Sequence, residues 1–102
     1  MNDKFFVVAG TKVEYDQFIR RKSAEMIMKY PNNTTISLSN FVYVDSDEKL
    51  YGQRNVHGWF IGSFRDRADI RGIVRMIRWC NNLPEDEQII PDLYVGRGMK
   101  LG

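Results

Sequence analysis

Two small-residue turns and one arginine supply the hydrogen-bond donors of a candidate anion site. Each turn directly follows a short apolar run, and the arginine comes shortly after the second turn. Glycine lets a ligand approach the backbone, while a hydroxyl and a planar guanidinium donate hydrogen bonds to phosphate or carboxylate groups. The candidate anion-binding residues are Gly10, Thr11, Gly62, Ser63 and Arg65.

Acidic neighbours compete with an external anion at both turns. Thr11 followed by Glu14 is a capping box, whose hydroxyl and carboxylate satisfy backbone N–H groups at the start of a helix. The spacing after Gly10 also lacks the glycine patterns of dinucleotide and Walker loops. At the second turn, acids at residues 66 and 69 are close enough in sequence to pair with the arginines at residues 65 and 67. We therefore expect a capped helix after Gly10, and we take the second turn, with its ion-pair alternative open, as the better anion candidate.

A second candidate site is a row of arginines on a predicted helix. Arg71, Arg75 and Arg78 are spaced by four and three residues, so they lie on neighbouring turns, and Trp79 lies beside them, off the apolar stripe. Such a row is a solvated helix face, a contact for nucleic-acid backbone or a docking surface for an acidic protein. Tryptophan and arginine are enriched in protein interfaces, so we favour protein docking through these four residues over nucleic-acid binding.

The remaining reactive side chains do not form a catalytic set. His57 is the single histidine and Cys80 the single cysteine, which excludes an internal disulfide and a Cys/His zinc site. We expect His57 in a loop, Cys80 buried on a helix, and Asp45 as a helix cap rather than a magnesium ligand. The sequence thus predicts no catalytic residue, no metal and no cofactor, and it favours a protein without enzymatic activity.

Length and composition are those of one small globular domain. The chain has 102 residues, of which 43% are hydrophobic, and a formal net charge of +2. That charge is too small to indicate nucleic-acid binding by itself, and the apolar runs are too short for a membrane span or a secretory signal. We expect one domain at residues 1–95 and a flexible basic tail at residues 96–102. We also expect the protein to be in the cytoplasm, without membrane contact. The oligomeric state stays open.

Three short apolar runs predict a parallel sheet. Residues 5–9, 41–44 and 59–61 are rich in β-branched and aromatic residues, show no clean alternation, and each lead into helix-start chemistry. The expected fold is α/β, a small open sheet of three parallel strands in two or three layers. Residues 89–95, interrupted by Pro91, are a candidate fourth edge strand, and residues 34–39 are an edge strand or a loop.

Two long helices are predicted to cover this sheet. Apolar residues recur at helical spacing over Lys12–Lys29, before Pro31 breaks the pattern, and again over residues 67–81. Residues 45–51 predict a short helix or turn, and residues 53–58 are polar enough to predict a loop. The carboxyl ends of parallel strands meet at one edge of a sheet, where ligands tend to bind. The candidate anion residues should therefore lie close together.

Residues 5–72 resemble a known group of proteins. The resemblance lies in strand ends and turns, namely Phe6-Val7-Val8-Ala9-Gly10-Thr11, Tyr43-Val44-Asp45-Ser46 and Phe60-Ile61-Gly62. With these motifs the chain resembles small, uncharacterised α/β proteins encoded by tailed bacteriophages. The resemblance implies a phage protein made in the infected bacterial cell, and it implies no catalytic residue. A strand that ends in Ala-Gly at a helix start is also similar to Rossmann-like nucleotide-binding proteins.

Two functions from different classes follow as expectations. The first is a phage accessory protein, an inhibitor or modulator that binds a host or phage protein without catalysis. The alternative is a domain that binds the phosphate of a nucleotide or nucleic acid, with weak hydrolase or transferase activity. Docking requires an exposed patch of apolar and arginine side chains, whereas a small-molecule site requires a concave pocket with convergent donors at the strand ends.

Overall fold

The computed structural model describes residues 4–29, 40–84 and 98–102. The strands and helices in chain order are β1 (Phe5–Ala9), α1 (Lys12–Lys29), β2 (Phe41–Tyr43), β3 (His57–Ile61), α2 (Ile70–Cys80) and β4 (Met99–Leu101). Short 3₁₀ helices at Asp47–Leu50 and Phe64–Asp66 follow β2 and β3. The candidate strands at residues 34–39 and 89–95 lie outside the described residues.

The four described strands form one parallel sheet in the order β2-β1-β3-β4. In the central pair, Phe5 lies opposite His57 and Ala9 lies opposite Ile61, so β1 and β3 are paired over their whole length. Val7, Val8 and Ala9 are fully buried, as expected for a strand that is covered on both faces. The predicted α/β fold with three parallel strands and two long helices is confirmed.

The fourth strand shows that residues 99–101 of the predicted flexible tail, residues 96–102, are ordered, while residues 96 and 97 lie outside the described residues. Met99 is only 3% exposed, and it lies opposite Gly58 in the parallel pairing of β4 with β3. The N–H of Gly102 also donates to the carbonyl of Phe60 at 3.1 Å. Glycine and basic residues make this segment look mobile in isolation, but the unpaired edge of β3 supplies the hydrogen bonds that order it.

The two long helices lie on opposite faces of the sheet. Phe18 of α1 packs with Val7 and Ile61 on one face, while Ile73 and Ile77 of α2 pack in the core on the other face. Starting from the central pair, α1 leads outward to β2 and α2 leads outward to β4, in opposite directions. Right-handed crossovers in opposite directions require helices on opposite faces. The domain therefore has three layers.

Some element boundaries differ from the predicted ones. The second helix begins at Ile70 rather than Arg67, because Phe64–Asp66 forms a separate 3₁₀ helix. The third strand begins at His57, within the segment that was predicted to be a loop, and the preceding Val56 is buried. The polar character of this segment hides the strand start from a local pattern, since His57 pairs with Phe5 of β1 and the backbone of Val56 pairs with the distant Asn81 side chain. The predicted turn at residues 45–51 is the 3₁₀ helix Asp47–Leu50.

Candidate functional site

The carboxyl ends of β1 and β3 meet at the point where the chain changes direction across the sheet. The turn after β1 leads to α1 on one face, and the turn after β3 leads to α2 on the other. Ligands of open parallel sheets tend to bind in the crevice at such a switch point. The four turn residues of the predicted anion site lie here, namely Gly10, Thr11, Gly62 and Ser63.

A carboxylate of the chain itself occupies the donors of the second turn. The backbone N–H of Ser63 donates to Oε2 of Glu14 at 2.7 Å, and the Ser63 hydroxyl donates to Oε1 at 2.7 Å. These two hydrogen bonds from Ser63 are the main reason why the pKa of Glu14 is lowered. The donors that were expected to meet an external anion thus already bind an internal one.

The same contact corrects the predicted capping box. The N–H of Glu14 donates to the Thr11 hydroxyl at 3.2 Å, so the first half of the box is present. The Glu14 carboxylate, however, binds Ser63 rather than the backbone of its own helix start. It does so because the central strand pairing brings a turn that is 49 residues away within its reach.

Two glycines are required for this approach. Gly62 has a φ of 61°, in the left-handed region that favours glycine, and a Cβ atom there would collide with the Glu14 carboxylate. A Cβ atom on Gly10 would collide with the Ser63 side chain and lie 2.7 Å from the Ser63 carbonyl oxygen. Both predicted site glycines therefore serve close packing of the two turns.

Arg67, which was not among the predicted anion-binding residues, lies at the ends of β1 and β2. The Arg67 side chain is only 9% exposed, and its Nη1 donates to the carbonyls of Ala9 at 3.0 Å and Val44 at 2.6 Å. It also forms two 2.9 Å hydrogen bonds with Asp69, which lower the pKa of that carboxyl group. Arg65 is exposed, and its guanidinium carbon lies 4.6 Å from the centroid of the Phe64 ring.

The ion-pair interpretation therefore holds for Arg67 and Asp69. Arg67 ties together the ends of β1 and β2 by filling carbonyl positions that a continuing strand would have paired. Nothing in the sequence distinguishes it from Arg65, since both precede the helix and both have an acidic neighbour. Arg65 lies within the 3₁₀ helix Phe64–Asp66, whereas Arg67 is the residue at which that helix ends.

The outer surface of α2 carries an exposed tryptophan beside a groove. Trp79 is 75% exposed, and with Arg75, Met76, Arg78 and Leu83 it lines a groove of about 700 Å³. We call this the Trp79 groove. Large apolar side chains with such exposure, next to arginines, are typical of protein interfaces. The prediction that Trp79 lies off the apolar stripe is confirmed.

The predicted arginine row is only partly assembled at this groove. Arg75 and Arg78 line it, whereas Arg71 is exposed four residues earlier on α2 and does not line it. The Nη2 of Arg78 donates to the carbonyl of Pro84 at 3.1 Å, which orients this side chain along the end of the helix. Two arginines of the predicted row, Arg75 and Arg78, therefore line the Trp79 groove, and Arg71 lies apart from it.

Of the other reactive side chains, Cys80 is buried as predicted, whereas His57 belongs to strand β3 rather than a loop and Ser46, not Asp45, is at the N-cap of the 3₁₀ helix Asp47–Leu50. Cys80 is buried, its thiol donates to the carbonyl of Leu50 at 3.3 Å, and burial raises its pKa. His57 is exposed at the amino end of β3, the opposite edge of the sheet from Glu14 and Ser63. Within the described ranges no group of histidine, cysteine and acidic side chains could hold a metal ion.

Comparison of this chain with known protein families, with curated proteins and with solved structures found no match. Among the helices in the described part of the chain, none combines the length and apolar character needed to cross a membrane. The geometry of the strand-end crevice and of the Trp79 groove is therefore the basis for a functional assignment.

Proposed function

We propose that this protein acts without catalysis, by docking on a macromolecular partner through the Trp79 groove. The observation that carries the proposal is the 75% exposure of Trp79 at a groove bordered by Arg75 and Arg78. Burying an indole ring gives a large hydrophobic gain at low entropic cost, and adjacent arginines add charge-assisted hydrogen bonds. A few such residues supply most of the binding energy of a typical interface.

The partner is a host or phage protein, and the chain is a phage accessory protein that inhibits or modulates it in the infected bacterial cytoplasm. The resemblance of residues 5–72 to tailed-phage proteins supports this setting. The alternative, a phosphate-binding domain with weak hydrolase or transferase activity, has less support. Its donors at Ser63 are held by Glu14, so a phosphate would have to displace a bound carboxylate.

Affinity purification of the tagged protein from phage-infected bacteria tests the proposal. Trp79→Ala and Arg75→Glu should remove specifically bound proteins, because each deletes part of the interface while leaving the core untouched. Arg20→Glu is the matched control, since Arg20 is an exposed arginine on α1, across the sheet. Nuclease treatment of the lysate should leave capture unchanged. Equal recovery by the wild type and both groove variants would refute the proposal.

A further inference from the structure

We infer that the partner segment bound by this surface is an acidic, extended peptide that crosses Trp79 and also contacts Arg54. The inference rests on the proposed function and names the chemistry of the partner. It adds a second groove, of about 610 Å³, on the other side of Trp79. We call this the loop groove, because Gly52, Gln53, Arg54 and Asn55 of the loop before β3 line it.

The two grooves form one continuous surface. Arg78, Trp79 and Leu83 line both of them, so the two grooves adjoin at these residues. The Trp79 groove adds Met76, an apolar side chain, while the loop groove adds polar side chains from residues 53–55 and Asn82. An extended chain that crosses Trp79 therefore meets an apolar side and a polar side in succession.

The charge of the described lining residues is one-sided. Three arginines, Arg54, Arg75 and Arg78, line the combined grooves, and none of the described lining residues is an aspartate or a glutamate. Arg54 and Arg75 take part in no ion pair with the other described residues. Carboxylates on the partner complement the guanidinium groups of Arg54 and Arg75, steer its encounter and fix its orientation.

The loop groove is held in place before any partner binds. The N–H of Asn55 donates to the carbonyl of Cys80 at 3.2 Å, which joins the loop to the end of α2. Asn55 and Asn82 both adopt a φ of 53°, a conformation uncommon outside glycine, on the two segments that line this groove. A preformed site loses less entropy on binding than a mobile one.

A peptide fits this surface better than a nucleic acid. Single-stranded nucleic acids bind through successive aromatic platforms, and the described lining of the two grooves contains one aromatic ring, that of Trp79. The Met76 and Leu83 side chains instead offer contact for an aliphatic residue of a peptide. The partner chemistry is therefore carboxylates around an apolar anchor.

Fluorescence titration of the Trp59→Phe variant tests this inference, because Trp79 is then the sole tryptophan. The probe is a synthetic peptide of Glu-Leu-Glu repeats. The control peptide is its Gln-Leu-Gln analogue, and oligothymidylate tests for nucleic-acid binding. We expect saturable binding of the Glu peptide that weakens with added salt. Arg54→Glu and Arg75→Glu should each weaken it by about tenfold, and Arg20→Glu should leave it unchanged.

The Trp79→Ala variant has lost the fluorescent side chain, so its binding is measured by calorimetry, which should show no binding of the Glu peptide. Equal affinity for the Glu and Gln peptides, binding of oligothymidylate alone, or no change at millimolar peptide would overturn the inference. An Arg54→Glu variant that binds the Glu peptide as tightly as its parent would also overturn the inference. If these peptides fail while Trp79→Ala still abolishes capture from cells, the proposed function stands and only the acidic chemistry of the partner is refuted.

Discussion

At the scale of single residues, Glu14 occupies the hydrogen-bond donors of Ser63 in the strand-end crevice. Its N–H is capped by Thr11 and its carboxylate accepts both donors of Ser63, so one residue joins the turns after β1 and β3. Parallel sheets commonly use this crevice for ligands. Here an internal carboxylate takes the place of a ligand anion, and the crevice stabilises the fold.

Replacing this carboxylate should lower stability in a pH-dependent way. Glu14→Gln keeps the size of the side chain but removes its charge, so we expect a lower Tm at neutral pH. The pKa of Glu14 is lowered from 4.5, mainly by the Ser63 hydrogen bonds, so its contribution is present above about pH 4.5 and is lost as pH falls through the folded pKa. The Tm difference between wild type and variant should therefore shrink in acid.

Thermal unfolding followed by circular dichroism across this pH range measures the difference. Glu25→Gln is the matched control, because Glu25 is an exposed glutamate on the same helix that pairs only with Lys22 among the described residues. It should leave the Tm nearly unchanged. A Glu14→Gln variant as stable as the wild type at neutral pH would show that the Ser63 contact contributes nothing.

At the scale of elements, the junction between α2 and β3 depends on one buried amide. Asn81 is 8% exposed, accepts from the N–H of Val56 at 2.6 Å and donates to the carbonyl of Val56 at 3.1 Å. This pair of hydrogen bonds aligns the end of the helix with the start of the strand. It also positions the loop of residues 52–55, which lines the loop groove.

Removing this amide should destabilise the domain strongly. Asn81→Ala leaves both backbone groups of Val56 without their side-chain partner, at a cost of roughly 2–3 kcal/mol in the free energy of unfolding. Arg71→Ala, an exposed change on the same helix, should stay within about 0.5 kcal/mol of the wild type. Urea unfolding at constant m-value measures both. A cost for Asn81→Ala no larger than that of Arg71→Ala would contradict this role.

At the scale of the whole molecule, stability should decrease from the centre of the sheet to its edges. β1 is paired on both sides and its last residues are fully buried, whereas β2 and β4 are three-residue strands at the two ends of the described sheet. Backbone amides in the centre open only with larger unfolding events. Hydrogen exchange should therefore be slowest in β1 and β3 and faster in β2 and β4.

Amide hydrogen exchange also tests whether the residues of β4 are structured. Amides at the end of this strand, including that of Gly102, should exchange more slowly than in an unfolded peptide, because Gly102 donates to Phe60 of β3. Exchange at the rate of an unfolded chain would restore the prediction of a flexible tail. Protection equal to that of β1 would show that this edge is covered as well as the centre.

The sequence by itself determined β1, β2 and β3, the two long helices and the parallel class of the sheet. These features depend on local patterns, which residues close together in the sequence form. Examples are the apolar run of β1 and the stripe of Ile73, Ile77 and Cys80 on α2. The exposure of Trp79 follows from the same periodicity. Gly10, Thr11, Gly62 and Ser63 could also be assigned to one edge, because parallel strands place their carboxyl ends together.

Only the tertiary structure decided which polar groups meet. The carboxylate of Glu14 had donors in its own helix start as well as at Ser63, and the pairing of β1 with β3 made the distant donors available. For the same reason Arg67 reaches the carbonyls of Ala9 and Val44, and the strand that contains Met99 pairs with β3. A hydrogen bond is formed by whichever partner the packed chain brings within about 3 Å, and that distance is set by topology rather than by neighbouring residues.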